Sequence, residues 1–312
     1  MPRLGYLVPT REAVMEGRPE AAPLLDLGVR AETLGFDSIW IGDSLLARPR
    51  HEPLTLLAGL ATLTTKVTLG TAVLLPAYRN PVIMAQQVAT LDQLAQGRLI
   101  LGVGVAADQP NIRAEFAATG TPFEARGARM QEGLALARAL WGAAAVEWDG
   151  RWQVDGATLG PACHTPGGPP IWGAGSHPNA IRRAGTQFDG WLPIWPDEAA
   201  AWAAQLGQVR EHAEASGRNA DEIKASLYAT VFLDDDSARA TSRIDAFLES
   251  YYGIPGHLMR RAQACRGGNA DTVGTWLNSF FEAGADEIVV RFAGDHERHL
   301  EAFAGLREQF GW

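Results

Sequence analysis

Cysteine is nearly absent: Cys163 and Cys265 are the only two in 312 residues, and they form no Cys-x-x-Cys pair. That excludes a disulfide framework and a zinc ribbon, and it suits a reducing compartment. Lysine is as scarce, with Lys66 and Lys224 alone among 27 basic residues. Against 36 acidic residues these leave a net charge of −9, which argues against a nucleic-acid partner. Long hydrophobic runs are missing too. The most apolar region, Leu54 to Leu75, is broken by Thr62, Thr64, Thr65, Lys66 and Thr68, so it cannot span a membrane. The apolar stretch after Met1 is too short for a signal-peptide core. A soluble, cytoplasmic protein with no membrane partner is expected.

What is present is an ordinary globular composition, 46% hydrophobic and 20% charged, with enough apolar surface for a large core. The architectural pattern repeats: a short run of branched apolar residues, then a longer amphipathic stretch. The strands expected are Leu4–Pro9, Ser38–Asp43, Val67–Leu75, Leu99–Val105, Pro170–Gly173, Gly190–Ile194, Ala225–Phe232 and Glu287–Arg291. Helices are expected over Ala22–Leu34, Pro53–Thr64, Pro81–Ala95, Phe123–Leu140, Asn179–Gly185, Glu198–Ala215, Ser237–Ser250 and Glu297–Gln309. Gly35, Gly97 and Gly217 stand where left-handed caps would close three of them. Strand–helix alternation implies a parallel sheet with right-handed crossovers. Eight such units point to one (β/α)8 TIM barrel, with residues 1–312 as a single domain. Three stretches exceed a minimal barrel: Ala106–Thr121, Gly142–Gly168 and Tyr251–Asn269. The second holds Trp148-Asp149-Gly150-Arg151-Trp152, a small hairpin with an Asp-Gly turn. The other two are expected as loops at the carboxyl face, where barrel sites are built.

Common barrel chemistries find no local support. The first strand has Gly5-Tyr6-Leu7 in place of the His-x-His of a metal-dependent hydrolase. Lys66 and Lys224 sit at strand starts, the wrong end for a Schiff-base lysine. Nothing fixes the separation of Asp43 and Asp108 as a glycosidase pair. Gly102-Val103-Gly104 is followed by Ala107 where a dinucleotide fingerprint needs its third Gly. His296 and His299 share a helical face, but spacing places no third metal ligand, and the charged terminal helix is expected to face solvent.

Two features remain. Gly173-Ala174-Gly175-Ser176 ends a strand directly before a helix, so its backbone N–H groups suit an anion; the alternative is a tight turn capped by Ser176. Asp43-Ser44 ends the second strand and puts an acid and a hydroxyl at the barrel mouth, unless Asp43 caps the loop. Of Trp172, Trp191 and Trp195, one or two read as core, and Trp195, beyond its strand, is the better candidate for a pocket wall.

Gly35-Phe36-Asp37-Ser38-Ile39-Trp40-Ile41-Gly42-Asp43 resembles the second-strand signature of the bacterial luciferase-like flavin-dependent oxidoreductases. So do Gly70-Thr71-Ala72-Val73-Leu74-Leu75-Pro76, Arg79-Asn80-Pro81 and Ala89-Thr90-Leu91-Asp92. Gly97 to Gly104, Pro169 to Gly175, Asp189-Gly190-Trp191 and Glu282 to Asp286 continue the likeness in order along nearly the whole chain. The resemblance implies a barrel holding FMN, or an 8-hydroxy-5-deazaflavin coenzyme, at its carboxyl face. It implies a cis Ala72–Val73 peptide behind the flavin ring, with Thr71, Ala72 and Val73 as cofactor residues. The phosphate would lie at Gly173, Ala174, Gly175 and Ser176, and Asp43 and Ser44 would be the catalytic candidates. Trp195, Tyr251 and Tyr252 would line the substrate pocket, with Tyr251–Met259 as a lid.

Two departures stand out. Many relatives carry His where this chain has Ser44. Deazaflavin-dependent sugar-phosphate dehydrogenases carry a Glu just beyond the fourth strand, where this chain has Ala106-Ala107. The main expectation is therefore a monooxygenase-type enzyme that takes reduced FMN from a separate NAD(P)H-dependent reductase and uses O2 on a small organic substrate. The alternatives are deazaflavin-dependent hydride transfer and a non-catalytic flavin-binding homologue. The family habit implies a homodimer. No metal is expected.

Overall fold

The expected alternation is what the chain builds. In the computed structural model, which describes residues 1–142 and 144–312, eleven strands form among the described residues. They are β1 (Arg3–Leu7), β2 (Ser38–Ile41), β3 (Thr68–Leu74), β4 (Leu99–Val103), β5 (Val146–Asp149), β6 (Gln153–Ala157), β7 (Ile171–Ala174), β8 (Gly190–Leu192), β9 (Lys224–Leu233), β10 (Ala264–Gly268) and β11 (Glu287–Phe292). The main sheet runs β10-β9-β11-β1-β2-β3-β4-β7-β8, and a further pairing of β9 with β8 closes it. This is a (β/α)8 TIM barrel. Gly35, Gly97 and Gly217 all take positive φ, as expected of cap positions.

Contacts cluster in two units: Met1–Pro9, Ala22–Trp40 and Ile171–Trp312 in the first, Thr10–Ala21 and Ile41–Pro170 in the second. In the first, β11 alternates by face. Phe292 packs on Phe303 of the helix His296–Phe310, 5.1 Å between ring centroids. Glu287, on the opposite face, accepts hydrogen bonds from Ser38 and from Trp40 of β2. That period of two puts Glu287, Val289 and Arg291 on the barrel-interior side. In the second unit, β3 and β4 pair in parallel, with a register shift between Thr71 and Leu74. The expected hairpin is β5–β6, antiparallel, with Asp149 opposite Gln153; the surrounding stretch 142–168 includes residue 143, which lies outside the described residues.

The structure corrects several sequence expectations. The stretch Ala106–Thr121 contains a helix, Pro110–Ala118, started by Pro at its first turn. Tyr251–Asn269 is not a loop. Tyr251 and Tyr252 end the helix Ser237–Tyr252, where Ile244, Leu248 and Tyr251 continue a buried helical stripe. A short helix, Gly256–Arg260, and β10 follow. The helix Ala270–Glu282, capped by the Asn269 side chain on Thr272 N–H, was not anticipated. The terminal helix does not simply face solvent either: His299 is fully buried.

Candidate active site

In the second unit, Asp43 follows β2 with its side chain 1% exposed. Its Oδ2 accepts from Leu75 N–H at 3.0 Å and from Arg79 Nη1 at 2.5 Å, and its Oδ1 from Arg79 Nη2 at 3.3 Å. Arg79 also donates to Glu52 Oε1 at 3.0 Å. Burial lowers the Arg79 pKa and is outweighed by the two carboxylates, which hold it above its ordinary value. Burial raises Glu52, but bonds from Thr55 and Arg79 leave it below the usual carboxylate range. The acid expected to do chemistry thereby also fixes the exit of β3.

Ser44 is likewise engaged. Its Oγ donates to Glu115 Oε2 at 3.0 Å. Glu115, 1% exposed, also accepts from the backbone N–H groups of Leu45 at 2.8 Å and Ala47 at 2.6 Å. Burial would raise its pKa, yet these donors leave it below the ordinary value. Such a carboxylate stays ionised and anchors the loop.

The Ala72–Val73 peptide is cis. Thr71 is fully buried and donates through Oγ1 to Gly102 O at 2.8 Å. Ala72 and Val73, by contrast, are each partly exposed where the strand departs from its pairing with β4. Gly42 lets the Arg50 guanidinium lie against the backbone there, because a Cβ would collide with Arg50 Nη1; that Cβ would also stand 3.4 Å from Ala72 O.

In the first unit, the turn after β7 has Gly175 at φ +107°. Its carbonyl accepts from Trp191 Nε1 at 2.9 Å, and the Ser176 hydroxyl donates to Trp195 O. The structure therefore brings Ser176 and Trp195 together. The cap of the following helix, Pro178–Gln187, is not Ser176 but His177, whose Nδ1 accepts from Asn179 N–H at 3.2 Å. Trp172 and Trp191 are core, at 4% and 0% exposure, while Trp195 is 39% exposed.

Tyr251 and Tyr252 meet Arg291, which sequence reasoning missed. Tyr251 is 4% exposed, so it packs inside rather than on a lid. Arg291 Nη1 donates to Tyr252 OH at 3.1 Å. The available signal was a lone cation closing the buried run Ile288-Val289-Val290-Arg291-Phe292. Glu115 left a weaker trace, an acid before Phe116 on a helix that itself went unread. The two histidines are occupied otherwise: Tyr6 OH and His296 Nδ1 lie 2.9 Å apart, and His299 bonds Asp295 O and Leu233 N–H.

The closed parallel sheet with its surrounding helices defines the class of α/β-barrel proteins. The chain belongs to the luciferase-like monooxygenase family, whose model matches residues 1–311. It is similar to the F420-dependent glucose-6-phosphate dehydrogenase of Intrasporangium calvum, 33% identical over 231 residues, 71% of this chain and 68% of that one. Several such relatives are matched over only 65% of their length. Glucose-6-phosphate dehydrogenase 1 of Rhodococcus jostii, also F420-dependent, is 29% identical over 90% of this chain and 91% of its own. Among solved structures, an F420-dependent secondary alcohol dehydrogenase with an F420–acetone adduct shares the fold at a TM-score of 0.81, 19% identity and 97% coverage of both chains. A monooxygenase of Streptomyces bottropensis does so at 0.82 and 22%, over 99% of this chain and 100% of that one.

Proposed function

We propose that this protein is a deazaflavin-dependent oxidoreductase that exchanges a hydride between F420 and a small organic substrate. The observation that carries the reading is the set of F420-dependent relatives at 29–34% identity, one matched over 90% of this chain. It favours the second of the readings drawn from the sequence over reduced FMN and O2.

The residues present fit such a group. Ala72 and Val73 offer a small, partly exposed apolar face in an otherwise buried strand, suited to one side of a flat ring. Gly175 has neither side chain nor negative φ, so the turn backbone can approach a phosphate ahead of the helix Pro178–Gln187. When bound, the deazaflavin supplies a two-electron hydride carrier that reacts poorly with O2. Within the second unit the chain's own part is positioning: Asp43 and Arg79 hold the β3 exit, and Glu115 holds the loop that begins at Ser44.

The substrate differs from the sugar phosphate in the relatives' names. Ser44 replaces the expected His, and Ala106-Ala107 replace the expected Glu. The acids nearest in sequence beyond β4 do not substitute for it, because Asp108 pairs with Arg113 and Glu115 with the loop backbone. An alcohol, carbonyl or activated alkene of another class is the proposed reactant.

The test is a titration of the purified chain with F420 and with FMN, followed by absorbance, together with oxygen uptake by the reduced complex. Saturable F420 binding, FMN binding at least about tenfold weaker, and no O2 consumption are expected. Preferential FMN binding with O2 uptake would restore the monooxygenase reading. Tight F420 binding with no hydride exchange across a panel of alcohols, ketones and enones would favour a non-catalytic role.

A further inference from the structure

Arg291 is a buried cation with no acidic partner among the described residues. It is 1% exposed, and every acceptor around it is neutral. Nε and Nη2 donate to Thr230 Oγ1 at 3.0 and 2.7 Å, Nη2 to Gln263 Oε1 at 2.7 Å, and Nη1 to Tyr252 OH at 3.1 Å. Four of the guanidinium's five N–H groups are thereby engaged, leaving one on Nη1. The rings of Tyr251, Phe247, Tyr228 and Tyr252 stand 4.9, 5.1, 5.3 and 5.6 Å from its central carbon. Such a cage offsets part of the desolvation cost but cancels no charge.

A second observation points the same way. Gln263 is 2% exposed, and its Nε2 has no hydrogen-bond partner among the described residues. The amide cannot be turned round, since Oε1 is the atom that Arg291 requires. A buried amide nitrogen without an acceptor, beside a buried guanidinium whose acceptors are all neutral, points to one acceptor group that both would bind. The location is that of a ligand site: Arg291 lies on the inward face at the carboxyl end of β11, in register with Thr230 of β9. Phe247 and Tyr252 are the partly exposed members of the cluster.

We propose that Arg291 and Gln263 recognise a carboxylate on the substrate. The remaining Nη1 proton and the Gln263 Nε2 protons can meet its two oxygens, and the ion pair supplies the counter-charge that the fold omits. The aromatic cage suits the flat, apolar portion next to that group. This names the substrate class for the reading given above, a hydride-exchanging enzyme acting on an organic acid, and it rests on that reading only for the word substrate.

The test is calorimetric titration of the full chain with acetate and benzoate, with acetamide and benzamide as neutral isosteres, and with inorganic phosphate. Binding of at least one carboxylate is expected, about tenfold or more tighter than its amide and tighter than phosphate. Arg291→Met should abolish it, and Gln263→Leu should weaken it about three- to tenfold. If Arg291→Met fails to fold, Gln263→Leu and the wild-type contrast of acid with amide still decide. No carboxylate binding, equal affinity for acid and amide, preference for phosphate, or wild-type affinity in a folded variant would each overturn the proposal. The titration needs no cofactor turnover, so it can fail while F420 binding holds, and the reverse.

Discussion

Ser44 and Glu115 are separated by 71 positions in sequence, yet the hydroxyl of the first donates to the carboxylate of the second at 3.0 Å. Together with Leu45 and Ala47 N–H, this makes Glu115 the acceptor that shapes the loop after β2. Glu115→Ala strands several buried donors and is expected to cost about 3 kcal/mol, whereas Ser44→Ala costs about 1 kcal/mol. Urea unfolding of the two variants checks the ranking. The folded pKa of Glu115 is depressed, so its contribution is present above the unfolded value and is lost as pH falls through the folded one.

The Asp43–Arg79 pair yields a second expectation. Asp43→Ala leaves the 14%-exposed Arg79 side chain with Glu52 alone and removes the acceptor for Leu75 N–H. A loss of about 3–5 kcal/mol is expected. Asp43→Asn keeps an acceptor for Leu75 and should lose less. If Asp43 also acted in the chemistry, the Asn variant would lose turnover far beyond what its modest loss of stability explains, while F420 affinity held.

The phosphate assignment is checked at Gly175. Gly175→Asp places a negative charge in a turn built from backbone donors, and F420 affinity should fall at least about tenfold. Gly175→Ala is the control, since it carries the same positive-φ cost, about 1–3 kcal/mol, without the charge. Its added Cβ would stand 3.3 Å from the Ala180 Cβ. Equal affinity losses in both variants, measured by absorbance titration, would point to backbone distortion instead.

His299 supplies a pH dependence. Burial, as the largest influence, lowers its pKa from the ordinary 6.5 to about 4, and its Nε2 must stay unprotonated to accept from Leu233 N–H. Because the unfolded chain binds the proton first, stability falls as pH drops from 6.5 towards 4, by roughly 3 kcal/mol in all. His299→Gln should be less stable at pH 7 but flatter across that window, as read from urea midpoints at several pH values.

Much of the fold was legible because buried parallel strands are continuous apolar runs. Leu99–Val105 was expected and Leu99–Val103 is found; Glu287–Arg291 became Glu287–Phe292. β10 was hidden because Ala264-Cys265-Arg266-Gly267-Gly268 has no β-branched residue, and its state comes from pairing with β9. The candidate site residues came from glycines and strand ends, through their likeness to a family. Partners were not. Nothing local ties Asp43 to Arg79, or Thr230 to Gln263 and Arg291, because those meetings depend on which strand ends the closed sheet sets side by side.

β9, Lys224–Leu233, is the longest strand among the described residues, and its length is divided between tasks. Lys224 and Ala225 meet β8, whereas Ala229 to Leu233 meet β10. Closure of the ring thus uses the lower end of the strand, and the upper half carries an added rim that brings Gln263 to Arg291. Because the two jobs sit on separate residues, a change at Gln263 leaves the β8 pairing at Lys224 and Ala225 in place, whereas Gly256, whose added Cβ would collide with the Asp245 backbone, is fixed in its segment.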